Sequence, residues 1–321
     1  MKGRPLPVSV SVVMPTFNTG PYLHEAVQSV LRQQPGDYDL RHVLVVDDNS
    51  TDPAALSLLD EVAAMDPRIR VLRNARQKGS GGARNHGVLN TDADWIAFLD
   101  SDDVFLEDAL TCRVAVLRQY PDAGWIGADF IRCDMDLKPV EGVFLATKPK
   151  TAPVLYGDDA AVSILRQPLP QFINQNLAFT GAVMVRRDRF MAAGMFDESL
   201  RRAQDYNLWL RLAMQNDYVF VRRPVAYYRT HPNSITASGS PRAWGIRALE
   251  AIRNYPQVKP YRKLMDHRLA DFYHTEIRYQ RHLGHAREAF RYLRRGLIYA
   301  AHEPVLIARA SLEAMRALIT H

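Results

Sequence analysis

The tetrad Asp100-Ser101-Asp102-Asp103 puts three carboxylates into four consecutive positions directly after the apolar run 95–99. So close a set of like charges repels itself and raises its own pKa values, whereas a hard divalent cation takes oxygen ligands from one or two carboxylates together with substrate phosphates. An Asp-rich turn that caps a helix starting near Leu106 is the competing reading of the same residues. A second acidic group, Asp47-Asp48-Asn49-Ser50-Thr51-Asp52, follows the apolar run 42–46. Asp52 before Pro53 is a helix start signal. Asp47 and Asp48 are not needed as caps, and a carboxylate at a strand end can accept the ring N–H of a uracil. Lys78-Gly79-Ser80-Gly81-Gly82-Ala83-Arg84-Asn85 adds glycines that let backbone approach a ligand, a helix amino terminus, and the cations Lys78 and Arg84. A flexible turn is the alternative there. The segment lacks the third glycine of the dinucleotide fingerprint at the right spacing and does not follow the first strand, which argues against a nicotinamide enzyme.

Such residues act together only if a scaffold brings them to one edge. The β-rich apolar run 8–14 stops at Pro15, and Pro21 then opens a segment with Leu23, Ala26, Val27, Val30 and Leu31 at helical spacing. The pattern recurs as a strand over 42–46 with a helix over 53–65, a strand over 69–72 with a helix over 82–89, and a strand over 95–99 with a helix over 106–120. This alternation predicts an α/β fold with a mostly parallel sheet flanked by helices, and ligands beyond the carboxyl ends of its strands. That edge carries Pro15-Thr16-Phe17-Asn18, Asp47-Asp48-Asn49-Ser50, Arg73-Asn74 and the tetrad. The stretch 134–170 is rich in Pro, Lys, Asp and Gly, and an irregular excursion is expected there, long enough to cover the site. Order returns at 178–185, with helices from about 187 and over 204–215 and closing strands at 218–221 and 225–229. From 241 onward the chain reads helical.

A chain of 321 residues suits one large α/β domain and a smaller appendage, expected here as 1–239 and a helical subdomain 240–321. Cys112 and Cys133 match no metal or redox spacing and read as free thiols, which fits a reducing, cytoplasmic setting. The amino terminus is interrupted by Pro5 and Pro7 and is not read as a signal peptide, and no run reaches the roughly 18 apolar residues that span a bilayer. Residues 240–321 hold 15 Lys/Arg and 7 Asp/Glu, a net of +8 out of +6 for the whole chain. A solvated helical surface explains this plainly; an anionic membrane surface or polyanionic acceptor is the sharper expectation, with peripheral contact on the inner face of the membrane. No recognised nucleic-acid module accompanies the charge, so no nucleic-acid partner is expected.

Val10-Ser11-Val12-Val13-Met14-Pro15-Thr16-Phe17-Asn18, Val45-Val46-Asp47-Asp48-Asn49-Ser50, Gly82-Ala83-Arg84-Asn85 and Asp100-Ser101-Asp102-Asp103 occur in an order and approximate spacing that resemble family 2 of the glycosyltransferases. The resemblance covers about 8–231 and implies the GT-A nucleotide-sugar fold and an inverting transferase. It implies Mg2+ or Mn2+ on the donor diphosphate at Asp102, with Asp100 and Asp103 touching donor or metal. Asp48 resembles the aspartate that pairs with uracil, and Pro15, Thr16, Phe17 and Asn18 the loop beneath the nucleoside. Further on, Phe196-Asp197-Glu198 and Gln204-Asp205-Tyr206-Asn207-Leu208-Trp209 resemble the region where the family has Glu-Asp at a helix start, its Asp the general base. That role falls on Asp205, while Gln204 departs from the usual Glu. His231 resembles a histidine that can complete the metal or diphosphate site. The implied partners are a nucleotide-sugar donor, with UDP favoured, and a carbohydrate or lipid-linked sugar acceptor of bacterial surface polysaccharide synthesis. The competing classes are a nucleotidyltransferase, which would place a Gly-rich basic loop where Pro15 to Asn18 stand, and a silent nucleotide-sugar binder, for which Gln204 is the only hint.

Overall fold

The computed structural model describes residues 7–230 and 240–299, together with Ala308 and Leu312. The expected alternation is realised as β1 (Val8–Thr16), α1 (Tyr22–Leu31), β2 (Tyr38–Asp47), α2 (Pro53–Ala63), β3 (Ile69–Arg73), α3 (Ser80–Leu89) and β4 (Trp95–Phe98). β1 pairs in parallel with β2 and β4, and β2 with β3. Val10, Val12, Val13 and Met14 are all fully buried, because a parallel strand covered on both faces has no polar side to keep wet. Asp52 caps α2, accepting the Ala54 N–H at 2.9 Å, with Pro53 in the first turn. α3 crosses the sheet so closely that a Cβ on Gly87 would lie 2.5 Å from Val13 Cγ1.

The chain continues through β5 (Val104–Phe105), α4 (Ala109–Gln119), β6 (Trp125–Cys133), β7 (Pro139–Val143), α5 (Ala152–Leu155), β8 (Val162–Leu165), α6 (Leu169–Asn174), β9 (Met184–Arg186), α7 (Arg187–Ala192), α8 (Gln204–Ala213) and β10 (Tyr218–Arg229). The sheet runs β3-β2-β1-β4-β9-β6-β10-β5, with β7 on β6 and β8 on β10. β6 and β10 are parallel, and the short strands β5, β7, β8 and β9 add antiparallel pairs. The two closing strands expected at 218–221 and 225–229 are one strand, β10, whose register against β6 slips on either side of Pro224. A proline has no N–H for the ladder and is tolerated at such an irregularity.

The stretch 134–170 is more ordered than its composition suggests, since β7, α5 and β8 lie within it. Its anchor is Asp129 on β6, fully buried, which accepts the N–H of Phe130 and Leu145 at 2.8 Å, that of Ala146 at 3.0 Å and the hydroxyl of Tyr156 at 2.7 Å. Burial raises the Asp129 pKa, and these four donors oppose the rise.

Of the described residues, 7–168 and 175–230 form one compact unit, and 169–174 with 240–299 form another. The expected boundary near 239 falls among residues 231–239, outside the described residues. The second unit is helical, with α9 (Pro241–Ile252), α10 (Arg262–His282) and α11 (Ala286–Gly296). Ser240 caps α9 through the Arg242 N–H at 3.3 Å. Its core includes Ile246, Leu249, Met265, Leu269, Tyr273 and Ile277, and Arg253 pairs with buried Asp266 at 2.7 Å. On α11, Ala289 and Leu293 pack against Ile277, but Phe290 and Leu297 are turned outward at 42% and 48% exposure. At about 100° per residue, the contacts of Ala289, Leu293 and Gly296 centre the buried face too far from Phe290 to include it. No helix of the described residues is long and apolar enough to cross a membrane.

The Gly87 approach predicts that Gly87→Ala destabilises the first unit by about 1 to 3 kcal/mol through overpacking against Val13. Thermal unfolding checks this; an unchanged midpoint would mean that α3 stands further from β1.

Candidate active site

The tetrad leaves β4 at the carboxyl edge of the sheet, and the Leu99 N–H donates to the Val13 carbonyl at 3.2 Å, so the turn begins on the central strand. Arg229, almost fully buried at the end of β10, fixes its shape. Its backbone N–H donates to the Asp103 carboxylate at 2.9 Å, Nη1 to the Asp102 carbonyl at 2.8 Å and Nε to the Met135 carbonyl at 3.1 Å, while Nη2 pairs with Glu25. Arg84, also buried, pairs with Asp100. The resemblance implies donor or metal contact for Asp103; the structure turns its carboxyl into the fold instead, at 0% exposure. One of its oxygens has no hydrogen-bond partner, and its pKa is pushed well above the usual carboxylate range by burial and then by the charges of Asp102 and Asp100.

The loops around the turn are tied to it and to one another. Thr16 donates its hydroxyl to Thr19 at 3.0 Å, and the Thr19 and Ser101 hydroxyls meet at 2.9 Å, joining the end of β1 to the tetrad. Asn18 adopts left-handed backbone, φ 46°, and its side-chain oxygen accepts the N–H of Thr51 and Asp52 at 2.9 and 3.1 Å. Pro15 and Thr16 are buried, whereas Phe17 is 46% exposed with the Lys78 ammonium 4.3 Å from its ring centroid. Asp47, expected to contact substrate, has both oxygens on the Ser50 N–H, at 2.9 and 3.2 Å, and shapes its own loop. Asp48 accepts from Asn74 Nδ2 at 2.6 Å and from the Gly79 N–H at 2.8 Å, holding the exit of β3 against the entry to α3.

Gly82 was expected to let a ligand approach. The structure assigns the glycine to the chain itself, because a Cβ there would lie 2.0 Å from the Gln77 carbonyl oxygen. Asn85 forms a reciprocal pair with the Phe196 backbone, at 2.9 and 3.0 Å, and donates to Glu198 at 2.8 Å. Burial works to raise the Glu198 carboxyl, but hydrogen bonds from Asn85 and Arg76 outweigh it and leave it lowered. Buried Arg211 of α8 donates Nη2 to the Met195 carbonyl at 2.6 Å and pairs with the Ala193 carbonyl. This clamp delivers the start of α8 to the site. Asn85, Glu198, Arg211 and Arg229 have no role that the sequence alone assigns, since their partners lie elsewhere in the chain.

Ala203 precedes α8 in left-handed backbone, φ 55°, a conformation costing a non-glycine residue about 1 kcal/mol or more. Directly after it, Gln204 is buried, donates Nε2 to the Ser80 hydroxyl at 2.7 Å, and leaves Oε1 without a partner. Asp205 accepts its neighbour Tyr206 N–H at 2.7 Å and the Thr180 hydroxyl at 3.3 Å. Its pKa is raised, by burial first; the Tyr206 N–H and the charge of Arg84 oppose the rise, and the charge of Asp100 adds to it. Asp205, Arg84 and Asp100 therefore share one electrostatic neighbourhood.

Among the described residues no three His, Cys, Asp or Glu side chains form a group able to hold a cation by themselves, and His231 lies outside the described residues. Asp100 and Asp102 remain as oxygen donors. They fit Mg2+ or Mn2+ in the manner of sites completed by substrate phosphates, and the upward push they exert on buried Asp103 is a negative field that a cation would relieve.

The order of strands, with a parallel β3-β2-β1-β4 half and carboxylates beyond its carboxyl edge, defines an α/β protein of GT-A fold. Residues 11–141 match the family model described as Glycosyl transferase family 2. A relative from Escherichia coli, UDP-Glc:alpha-D-GlcNAc-diphosphoundecaprenol beta-1,3-glucosyltransferase WfgD, is 34% identical over 34% of this chain and 40% of its own. Succinoglycan biosynthesis protein ExoO of Rhizobium meliloti is 30% identical over 62% of this chain and 54% of its own. The chain thus spans about half of these relatives' length or less. In fold it is similar to S. aureus TarS 1-349 in complex with UDP-GlcNAc, with a TM-score of 0.68 at 16% identity over 97% of this chain and 89% of that one. Residues 11–141 thus form a domain of the Glycosyl transferase family 2 type.

Asn85→Ala would leave the Phe196 N–H and carbonyl without their side-chain partner in a buried place, at a cost of about 1 to 3 kcal/mol. Urea unfolding at neutral pH checks this, and a midpoint equal to wild type would show that the clamp is not what holds 196–198.

Proposed function

We propose that the chain transfers a sugar from a nucleotide diphosphate sugar, with UDP as the nucleotide, to a hydroxyl of a glycan or lipid-linked acceptor in bacterial surface polysaccharide synthesis, with inversion at the anomeric carbon. The observation that carries this reading is the Gln204–Ser80 hydrogen bond, which ties the start of α8 beside Asp205 to α3, whose Arg84 pairs with Asp100; the charges of Arg84 and Asp100 act on the Asp205 carboxyl in keeping with it. The printed names of the relatives support the choice of substrates: one takes UDP-Glc and a diphosphoundecaprenol-linked sugar, another serves succinoglycan synthesis, and the structural neighbour holds UDP-GlcNAc.

In this reading the exposed ring of Phe17, with Lys78 against it, offers a stacking surface for the base. Asp48 is held in place by Asn74 and Gly79 and retains lone pairs for a ring N–H. Asp100 and Asp102 would hold Mg2+ or Mn2+, which when bound supplies charge neutralisation to the departing diphosphate. Arg84, whose Nε has no partner, and the backbone N–H groups at the start of α3 add positive potential for the same phosphates. Asp205 takes the proton of the acceptor hydroxyl as that oxygen attacks the anomeric carbon and the bond to the diphosphate breaks. Burial makes it a stronger base than an ordinary carboxylate, because its raised pKa lies nearer the working pH. Gln204 is neutral, so this basicity is set without a second carboxylate beside it.

Asp205→Asn should keep donor affinity and lose turnover by roughly 10²-fold or more, since a general base acts in the transition state. In the wild type, kcat/KM should rise with pH through a group titrating above the usual carboxylate range, because the ionised form is the base and its pKa is raised. The variant should lack that limb. Near wild-type turnover, or an unchanged limb, would remove Asp205 from the role. Asp102→Ala should abolish Mn2+-supported UDP binding in calorimetry without lowering thermal stability; undiminished affinity would take the tetrad out of the donor site.

A further inference from the structure

Helix α11 has an outward face that nothing in the transfer reaction uses. With Ala289, Leu293 and Gly296 turned to α10, the positions opposite, at about 100° per residue, are Arg287, Arg291 and Arg294, and Ile298 continues the row just beyond the helix. All four are exposed, Ile298 at 64%. Phe290 and Leu297, seven residues apart on the flank of that row, are exposed as well. Arg291 is paired with Glu288 at 3.0 Å and Arg295 with Glu250 at 3.0 Å, but Arg287 and Arg294 have no ion-pair partner among the described residues. The described second unit around them is strongly cationic: 240–299 holds 13 Lys/Arg and 5 Asp/Glu.

We infer that this face docks the protein on an anionic lipid surface, with the arginine row at the headgroups and Phe290, Leu297 and Ile298 entering the interface. Charge complementarity alone would also fit a nucleic acid or an acidic polymer. The neighbouring row of exposed apolar side chains decides between them, because a phosphate backbone gives Phe290 and Ile298 nothing to bury against, whereas an interfacial helix requires basic and apolar residues side by side. The attachment is peripheral, since a single short basic and apolar face gives reversible binding, and each basic residue near an anionic leaflet strengthens it by roughly fivefold.

The test is co-sedimentation of the full chain with vesicles of pure phosphatidylcholine and of phosphatidylcholine with about one third phosphatidylglycerol, a fraction on the order of that in anionic leaflets. Wild type should bind the anionic vesicles, lose binding between low and high salt as screening grows, and leave the neutral ones in solution. R287Q/R294Q should weaken anionic-vesicle binding by roughly 25-fold at low salt. F290S/I298S should weaken it by roughly tenfold through lost apolar burial. Both pairs are exposed, and circular dichroism would confirm that the helices remain. Absent or equal binding to the two vesicle types, or an arginine variant that binds as wild type does, would overturn the inference. An intact arginine dependence with no effect of F290S/I298S would mark a general polyanion surface and equally overturn the bilayer assignment. UDP affinity, measured on the same samples, is independent of this face, so failure here is separable from failure of the proposed transfer reaction.

Discussion

The negative charge concentrated in the turn after β4 is the constraint on which the rest of the first unit depends. Three carboxylates within four residues cannot be left to repel one another at a buried strand end, and two buried guanidiniums answer them from different parts of the chain. Arg229 grips the turn through the Asp102 carbonyl and, by its own N–H, the Asp103 carboxylate, while Arg84 pairs with Asp100. Each arginine is tied to further structure: Arg229 to α1 through Glu25, and Arg84 to the α8 approach through the Phe196 ring, 5.5 Å away. Removing Asp100 would leave the buried Arg84 guanidinium without its carboxylate partner, at a cost of about 1 to 3 kcal/mol. The turn is therefore held from several sides in one conformation, with Asp100 left one-third exposed at its side chain. Preorganisation of this kind is what electrostatic catalysis needs, since charges already in position require no rearrangement as the reaction proceeds.

The same logic explains the start of α8. An alanine in left-handed backbone and a glutamine with an unsatisfied buried oxygen are both locally unfavourable. They persist because Arg211 of the helix holds the Met195 carbonyl while Asn85 and Arg76, from elsewhere in the chain, hold Phe196 and Glu198. Local strain offset by distant contacts is common where side chains are held for chemistry rather than for packing, and here it falls at the residue pair Gln204 and Asp205.

How much of this was legible in the sequence depended on where each residue's partners lie. Apart from the two-residue β5, the half from β1 to α4 could be read because apolar-rich runs alternate with segments of helical spacing, and the runs before Pro15, Asp47 and Asp100 stop at proline or acidic residues. β6 was not read, since Gly127 and Asp129 break its apolar run; Gly127 is needed because the Tyr218 hydroxyl occupies the space of a Cβ, and Asp129 because it organises a segment up to 27 residues away. For the same reason 134–170 read as irregular. Within the site, residue type and spacing mark Asp100, Asp102 and Asp48 as candidates and the resemblance to the family marks Asp205, but neither tells which acidic residues face outward. Asp47 and Asp103 lie one position from Asp48 and Asp102, yet both turn inward: Asp47 puts both oxygens on the Ser50 N–H, and Asp103 accepts the Arg229 N–H with one oxygen and buries the other. On α11 helical spacing alone groups Ala286, Ala289, Phe290, Leu293 and Leu297 as one face, but the small residues Ala289 and Gly296 set the packing line, and Phe290 and Leu297 lie outward.

The central claim is that the turn at 100–103 receives the diphosphate of a nucleotide sugar through a divalent cation. The most direct measurement is X-ray diffraction from crystals grown with UDP and Mn2+, with data collected at the manganese absorption edge. The account predicts an anomalous peak bonded to a carboxylate oxygen of Asp100 or Asp102 and to a diphosphate oxygen, with the uracil near Phe17 and Asp48. A manganese peak remote from this turn, or a nucleotide bound elsewhere on the sheet, would contradict it.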